Sequence, residues 1–245
     1  MYNPLMPPNS SSSFRKPLRH SGRTKHSAVS KPPQIKRQHA KHQGMHEGGM
    51  HTLFVDGSNL YSAQYKLFGP DKYLLFPKFV EQIELLTTRV YKNIFFYASY
   101  TPRTAEQTDA EKAFSKNEYL FYKSAKKERR VVFFTGYRSP TSGKEKEVDV
   151  KITADMVSMA LMGELSSIHL LTGDADFLQS LETIKKYKPD LPMRLVCVEN
   201  RPLYKGLYAY PSDIIQFSEK PLKLAKKATI HRIKKDHAAL CVAKI

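Results

Sequence analysis

The segment LLTGDADFLQSL, residues 170–181, places two carboxylates directly after a short apolar run. Gly173 turns the backbone before Asp174, and Asp176 follows two residues later. A structural explanation is available, because Asp174 can cap the helix that follows and Asp176 can interact with the helix dipole. The alternative is an acidic functional site, which requires other acids in the chain to have the same placement.

Two further segments place acids in this way. The run HTLFV predicts a strand that ends at Asp56, and the helix predicted over 147–163 begins with Glu147 and Asp149. In a parallel sheet all strands point to one edge, where the crossover helices also begin. Each acid alone could be a turn former or a helix cap. Together they predict that four carboxylates converge: Asp56, Asp149, Asp174 and Asp176.

A bound cation would explain such a cluster. Like charges held a few Å apart destabilise a fold by kcal/mol amounts, and a divalent ion removes that cost. Oxygen ligands without a His or Cys cluster favour Mg²⁺ or Mn²⁺ over zinc. Asp155 fits less well, because six positions after Asp149 it lies about 120° away around the helix. We expect Asp155 to support a metal ligand, face the substrate or cap a neighbouring loop.

The elements that must position these acids alternate along the chain. Five apolar runs predict strands, and four segments between them predict helices. The strands are expected at 51–55, 93–100, 130–136, 167–173 and 193–199, and the helices at 76–90, 104–128, 147–163 and 175–187. This order predicts an α/β three-layer sandwich with a mostly parallel central sheet of about five or six strands. The run DIIQFS is expected to add an edge strand.

The charge of the chain is concentrated at its ends. Of a net charge of +17, residues 1–50 hold nine Lys and Arg against one acid and residues 220–245 hold eight against one, which leaves residues 51–219 at +2. We therefore predict a disordered basic tail, one folded domain and a basic C-terminal extension over these three ranges. In the extension, KPLKLAKKATIHRIKK is expected to form a helix on the substrate or a partner. Basic arms suit a nucleic acid, although they could also only confer solubility.

The sequence gives no sign of a membrane protein. No apolar run approaches the roughly 18 residues of a membrane span, and the first residues lack the apolar core of a signal peptide. The two cysteines, Cys197 and Cys241, are in no metal or redox spacing. We expect a cytoplasmic location, with a mitochondrial or other organellar address in the basic tail as the alternative.

Three motifs, FVDGSN, KEVDVKITADM and LLTGDADF, resemble in order and strand context those of the NYN domain, a PIN-like nuclease fold, in its LabA-type branch. The resemblance covers residues 51 to about 200 and neither tail. It implies that the four aspartates form an acidic metal site and that Asn59 orients a carboxylate or contacts substrate.

Two positions depart from the pattern of that family. Glu147 stands where Gly is usual before Val-Asp, and it adds a fifth acid that could alter metal affinity or substrate approach. Thr172 stands where Ser is more usual before Gly-Asp, and it keeps the hydroxyl group.

The sequence therefore predicts a Mg²⁺- or Mn²⁺-dependent nuclease, expected to be an endoribonuclease that hydrolyses single-stranded RNA. Asp56 and Asp174 would be inner ligands, and Asp149 and Asp176 would complete the shell directly or through water. Candidate contacts to RNA phosphates are Lys144, Lys146, Lys151 and Arg138. The three lysines could equally belong to a solvated loop face. Tyr137 is expected to pack in the core rather than to stack on a base.

Two alternatives stay open: a non-catalytic RNA-binding or regulatory module with the same fold, and a DNA-directed nuclease. A phosphatase of the haloacid-dehalogenase type is disfavoured, because Ser58 stands where that chemistry needs a second Asp. A Rossmann nucleotide site is disfavoured because the turn DGSNLY lacks the Gly-rich pattern. A homo-oligomer also stays open.

Overall fold

Ten strands and six α-helices occur in the part of the chain that the computed structural model describes, which is residues 51–102, 106–138, 145–200, 205–222 and 227–245. The strands are β1 (His51–Asp56), β2 (Lys72–Leu74), β3 (Tyr91–Ser99), β4 (Val131–Arg138), β5 (Glu145–Lys146), β6 (Ile168–Leu171), β7 (Met193–Val198), β8 (Ser212–Gln216), β9 (Ala228–Arg232) and β10 (Val242–Lys244). The helices are α1 (Gly57–Phe68), α2 (Phe76–Thr87), α3 (Asp109–Ala125), α4 (Val148–Leu161), α5 (Leu178–Tyr187) and α6 (Lys235–Leu240). Short 3-10 helices span Ala175–Phe177 and Lys205–Ala209. The tail predicted over 1–50 lies outside the described residues.

The central sheet has the strand order β5-β4-β3-β1-β6-β7-β8-β9. Every neighbouring pair is parallel except β4 and β5, which are antiparallel. The predicted α/β class and mostly parallel sheet are therefore confirmed. The sheet is wider than the five or six strands predicted, because β5 and β9 extend it at its two sides. The strand expected at DIIQFS is β8, but it is not an edge strand, since β9 pairs with its outer side.

Helices cover both faces of this sheet. In β1, Leu53 and Val55 contribute to the core beneath α1, α2 and α3, whereas Phe54 contributes to the core beneath α4 and α5. Successive side chains of a strand point to opposite faces, so a strand covered on both sides needs apolar residues at consecutive positions. This requirement explains the unbroken apolar runs from which the strands were predicted.

Helix α1 begins unusually close to strand β3. A Cβ atom added to Gly57 would lie 2.3 Å from a ring carbon of Phe96 and 2.6 Å from the carbonyl oxygen of Tyr97. Real Cβ atoms do not make contacts this short, so a residue without a side chain is required here. The absence of a side chain at Gly57 thereby allows α1 to begin directly after β1, close to strand β3.

The C-terminal residues join the folded domain: β9 belongs to the central sheet, and β10 forms a separate two-stranded sheet with β2. Strand β9 pairs with β8 over Ser212–Gln216, and β10 pairs antiparallel with β2. The helix expected over KPLKLAKKATIHRIKK is therefore wrong for the described residues 228–232, which are a strand. The β-branched Thr229 and Ile230 favour extended backbone, and the basic residues among them hid this preference. The side chains of Ile233 and Cys241 are buried.

None of the described helices is long and apolar enough to cross a membrane.

The burial of Ile233 provides a test of this arrangement. We expect Ile233→Ala to lower the free energy of unfolding by about 2–4 kcal/mol, because it opens a cavity in the core. Ile245→Ala, at a side chain that is 41% exposed, should change it by less than about 0.5 kcal/mol. Urea unfolding monitored by circular dichroism measures both values. A loss for Ile233→Ala as small as that for Ile245→Ala, below about 0.5 kcal/mol, would show that residues 228–245 are not part of the core.

Candidate active site

The carboxyl ends of β1 and β6 lie side by side and position the first acids. The two strands are parallel, with Val55 opposite Leu171, so Asp56 and Thr172 occupy the next positions of each strand. Asp56 is the N-cap of α1, and Asp174 is the N-cap of the 3-10 helix Ala175–Phe177. The capping roles suggested by the sequence are therefore present, and both caps lie at one edge of the sheet.

Asp56 is held by hydrogen bonds from two elements. Its Oδ1 accepts a bond from the backbone N–H of Asn59 (2.9 Å), and its Oδ2 accepts one from the hydroxyl of Thr172 (2.9 Å). Only 4% of the residue is exposed. The carboxylate of Asp56 therefore has a fixed orientation at the floor of the site.

Thr172 connects Asp56 to the loop that carries Asp174. Its hydroxyl oxygen accepts a hydrogen bond from the backbone N–H of Asp174 (3.1 Å) while its proton is donated to Asp56. Asn59 adds a second link, since its Oδ1 accepts a longer bond from the N–H of Gly173 (3.4 Å). The side chain of Asn59 thus contacts the loop at Gly173, and its role in orienting a carboxylate or contacting substrate stays a prediction.

Asp174 and Asp176 are exposed above this floor. Oδ1 of Asp174 accepts a hydrogen bond from the backbone N–H of Asp176 (3.1 Å). Asp149 is also exposed, in the first turn of α4. That turn lies at the same edge, because α4 follows β5, and β5 pairs with Tyr137 and Arg138 at the carboxyl end of β4.

The donor chemistry of these acids fits a hard divalent cation. All four side chains offer carboxylate oxygens, which are the ligands that Mg²⁺ and Mn²⁺ prefer. Among the described residues, however, no three His, Cys, Asp or Glu side chains are close enough together to hold a metal ion. Binding at this edge therefore requires the exposed carboxylates to turn toward Asp56. The assignment of the four aspartates as ligands stays a prediction.

Asp155 has partners of its own within the structure. The hydroxyl of Tyr97 donates to its Oδ2 (2.9 Å), and the ammonium group of Lys151 forms an ion pair with its Oδ1. Burial and the neighbouring Asp155 carboxylate raise the pKa of Tyr97 well above its usual value, so the phenol stays protonated and donates. Tyr97 lies opposite Asp56 in the sheet and was not found from the sequence, where it resembled any aromatic residue of a buried strand. These contacts tie α4 to β3.

Of the four candidate substrate-binding residues, three lie in the described part of the chain. Lys151 is engaged with Asp155 and lies over the ring of Phe134, with 5.8 Å from Nζ to the centroid. The backbones of Arg138 and Lys146 belong to the paired strands β4 and β5, and Lys144 lies outside the described residues.

Tyr137 is 52% exposed, so the prediction that it packs in the core is wrong. The pairing of β4 with β3 ends at Gly136, and Tyr137 extends beyond it.

Glu147 has a backbone conformation that rarely accommodates a side chain. It precedes α4 with φ of 82° and ψ of −36°, and its side chain makes no capping hydrogen bond. Positive φ brings the Cβ of an L-residue against its own backbone, so Gly is favoured at such positions. The structure thus gives a physical reason for the Gly that is usual here, and Glu147 is a strained replacement beside the acidic edge.

The sheet, its two helical layers and the acids at its carboxyl edge define a PIN-like α/β sandwich. The sequence profile of the NYN domain matches residues 51–190. The chain therefore belongs to the NYN domain family, whose members are generally nucleases of the PIN-like type. Its assignment to the LabA-type branch stays a prediction.

A crystal structure of a protein of unknown function from Vibrio parahaemolyticus is similar to this chain, with 14% identity and a TM-score of 0.47. The similarity covers 72% of this chain and 98% of the other. No curated protein matches the sequence.

The strain at Glu147 predicts that Glu147→Gly stabilises the protein. Relief of the positive-φ strain should outweigh the greater freedom of Gly in the unfolded chain and raise the free energy of unfolding by about 0.5–1 kcal/mol. Glu164 is a matched control, since it is exposed and does not have positive φ. Glu164→Gly should lower stability by up to about 1 kcal/mol. Urea unfolding compares the two, and equal losses would contradict the assigned strain.

Proposed function

We propose that this protein is a divalent-metal-dependent ribonuclease that hydrolyses phosphodiester bonds in single-stranded RNA as an endonuclease, with Mg²⁺ or Mn²⁺ as cofactor. The observation that carries this proposal is the hydrogen-bonded link from Asp56 through Thr172 to Asp174 at the junction of β1 and β6. Membership of a family of nucleases supports the coarser part of the proposal, which is that the substrate is a nucleic acid.

The residues of this edge divide into a fixed floor and exposed groups. Asp56 and Asp174 would hold the ion, with Asp149 and Asp176 completing its shell directly or through water. When bound, such an ion activates a water molecule and neutralises charge that develops on the phosphate. Asp56 already accepts two hydrogen bonds, which keep its carboxylate oriented without help from substrate. Exposure of the other three acids leaves the edge open to a long polymer.

Single-stranded RNA suits the surroundings of this edge. Tyr137 is exposed at the end of β4, where a phenol ring provides a face on which an unpaired base can stack. Arg138, Lys144 and Lys146 follow in the same region of the chain and are proposed to bind phosphates, and Lys151 would do so only by leaving Asp155. We also propose that the protein acts in the cytoplasm.

A non-catalytic RNA-binding module with this fold is the second candidate. It is favoured by the spacing of the acids, since no three of them are grouped for an ion within the described part of the chain. The two functions differ in turnover, because a binding module retains RNA without cleaving it in the presence of Mn²⁺.

Replacement of Asp174 tests the proposed cleavage. Asp174→Asn should reduce Mn²⁺-dependent cleavage of labelled single-stranded RNA by about a hundredfold or more, because it removes a carboxylate that would hold the ion. Asn is also a good helix cap, so the local fold should be retained. Asp190→Asn, at an exposed acid just before β7, is the matched control and should leave cleavage unchanged.

The same assay with double-stranded RNA and with DNA defines the substrate, and addition of a chelator tests the requirement for a metal ion. Unchanged cleavage by Asp174→Asn would refute the assigned role. Binding of RNA by the original chain without any cleavage in Mg²⁺ or Mn²⁺ would favour the non-catalytic module.

Deletion of residues 1–45 tests whether the basic tail binds RNA. This segment lies outside the described residues and holds nine Lys and Arg without an acid. We expect the deletion to weaken RNA affinity and to flatten its salt dependence by about 0.7 in log–log slope for each phosphate that the tail neutralises. A chain of full length with these nine residues changed to Gln should behave alike. An unchanged slope, measured by fluorescence anisotropy, would show that the tail does not bind RNA.

A further inference from the structure

A pocket of about 590 Å³ opens at the edge of the sheet opposite to the acids. It lies where β1, β6 and β7 begin, and its walls include His51, His169 and Arg194 from these strands or their first residues. Because β1 runs from His51 to Asp56, the two edges are about 16 Å apart along an extended strand. This pocket, which we call the amino-edge pocket, is therefore separate from the candidate active site.

Two arginines meet at one buried carboxylate beside this pocket. Asp213 on β8, whose side chain is 1% exposed, accepts bonds from Nη1 of Arg89 (2.9 Å) and Nη1 of Arg194 (3.2 Å). A third contact joins its Oδ1 to Nε2 of His231 (2.8 Å). One carboxylate balances only one guanidinium charge, so the cluster carries a positive surplus at the pocket wall.

Both guanidinium groups have further donors available. Each uses one terminal nitrogen for Asp213, and within the described part of the chain their remaining side-chain nitrogens have no hydrogen-bond partner. About a quarter of each side chain is exposed, at 25% for Arg89 and 26% for Arg194. Because a guanidinium presents its donors as a planar fork that matches phosphate oxygens, these unused positions suit a phosphate group.

Two imidazoles complete the polar wall. The rings of His51 and His169 stack with their centroids 4.6 Å apart, and they contact the Ser167 hydroxyl (2.6 Å) and the Tyr91 hydroxyl (3.0 Å) respectively. Burial is the largest cause that lowers the pKa of both histidines, and the positive charges of Arg89 and Arg194 add to it. The pKa of His169 is lowered to about 3. The rings are therefore neutral at pH 7, chiefly because they are buried. The positive charges of Arg89 and Arg194, which contribute to the same shift, attract anions.

A structural explanation accounts for only part of this arrangement. Through its three partners, Asp213 links strand β8 to Arg89 in the loop after α2, to strand β7 and to strand β9. One cation would be enough to balance its charge. The second guanidinium, the unused donors and the open pocket need another reason. Apolar side chains of Pro192, Met193 and Pro211 line the remaining wall, which gives the pocket the mixed character of a small-molecule site.

We propose that the amino-edge pocket binds a small phosphomonoester, whose phosphate is held by the unused donors of Arg89 and Arg194. Its volume suits a ligand of nucleotide size, and the apolar wall would contact the organic part. The proposal is independent of the proposed nuclease activity, because it uses none of the acids at the opposite edge.

Isothermal titration calorimetry of the full chain tests this binding. Inorganic phosphate, adenosine 5′-monophosphate and adenosine are titrated at fixed ionic strength with a chelator present, so that no metal-bridged phosphate forms at the acidic edge. We expect one saturable site for the first two ligands and no binding of adenosine. Tighter binding of the nucleotide than of phosphate would show that the apolar wall contributes, and equal binding would show that only the phosphate group is recognised.

Two variants assign the binding to this pocket. Arg194→Gln should weaken phosphate binding about tenfold or more, because it removes one guanidinium while Arg89 stays on Asp213. Pro192→Asp places a carboxylate at the exposed rim without touching that cluster, and it should weaken binding by a similar factor through repulsion. Pro189→Asp, the same change at an exposed proline of the same loop that does not line the pocket, should alter affinity less than twofold.

Thermal unfolding of each variant shows whether it is folded, and Pro192→Asp keeps the test decisive if Arg194→Gln is not. Absence of saturable phosphate binding would overturn the proposal. So would binding that Pro192→Asp and Pro189→Asp weaken equally or not at all, because the phosphate would then be held elsewhere, such as on the basic tails.

Discussion

The acidic edge depends on the two hydrogen bonds that the hydroxyl of Thr172 makes. It donates to the carboxylate of Asp56 and accepts from the backbone of Asp174, so one buried group fixes two acids that are more than a hundred positions apart in sequence. A buried hydroxyl that makes both bonds avoids the cost of an unpaired polar group and specifies a single arrangement. Its position follows from the parallel pairing of β1 with β6, which makes the strand register a determinant of the chemistry.

The sequence predicted those features of the fold that burial on two faces imposes. Strands covered by helices on both sides must be apolar at consecutive positions, and this is why β1, β3, β6 and β7 were found, with each end within two residues of the predicted one. Strand β4 was found from its apolar run as well, although its Val132 is 52% exposed. The acids at strand ends followed from the parallel topology. Helix α3 begins at Asp109 and not at residue 104, since Thr108 and Glu111 form a capping box. This capping box is recognisable in the sequence and was missed.

Other features could not be obtained from a single sequence because they depend on distant contacts. Strand β9 lies among basic residues that suggested a helix, and its extended form comes from pairing with β8. The exposure of Tyr137 depends on where the pairing of β4 with β3 ends, and the ion pair that engages Lys151 depends on the orientation of α4. The positive φ of Glu147 is invisible in the residue type itself, although the departure from Gly at that position marked it as unusual.

Gly57 has a consequence for how variants of such an edge are interpreted. It carries no functional group, yet the close approach of α1 to Phe96 and the Tyr97 carbonyl leaves no room for a methyl group. Any larger residue must displace the start of the helix, and with it the Asn59 amide that orients Asp56. Inactivation by a change at this glycine would therefore report a displaced backbone rather than a missing reacting group, and genetic screens alone would not separate the two.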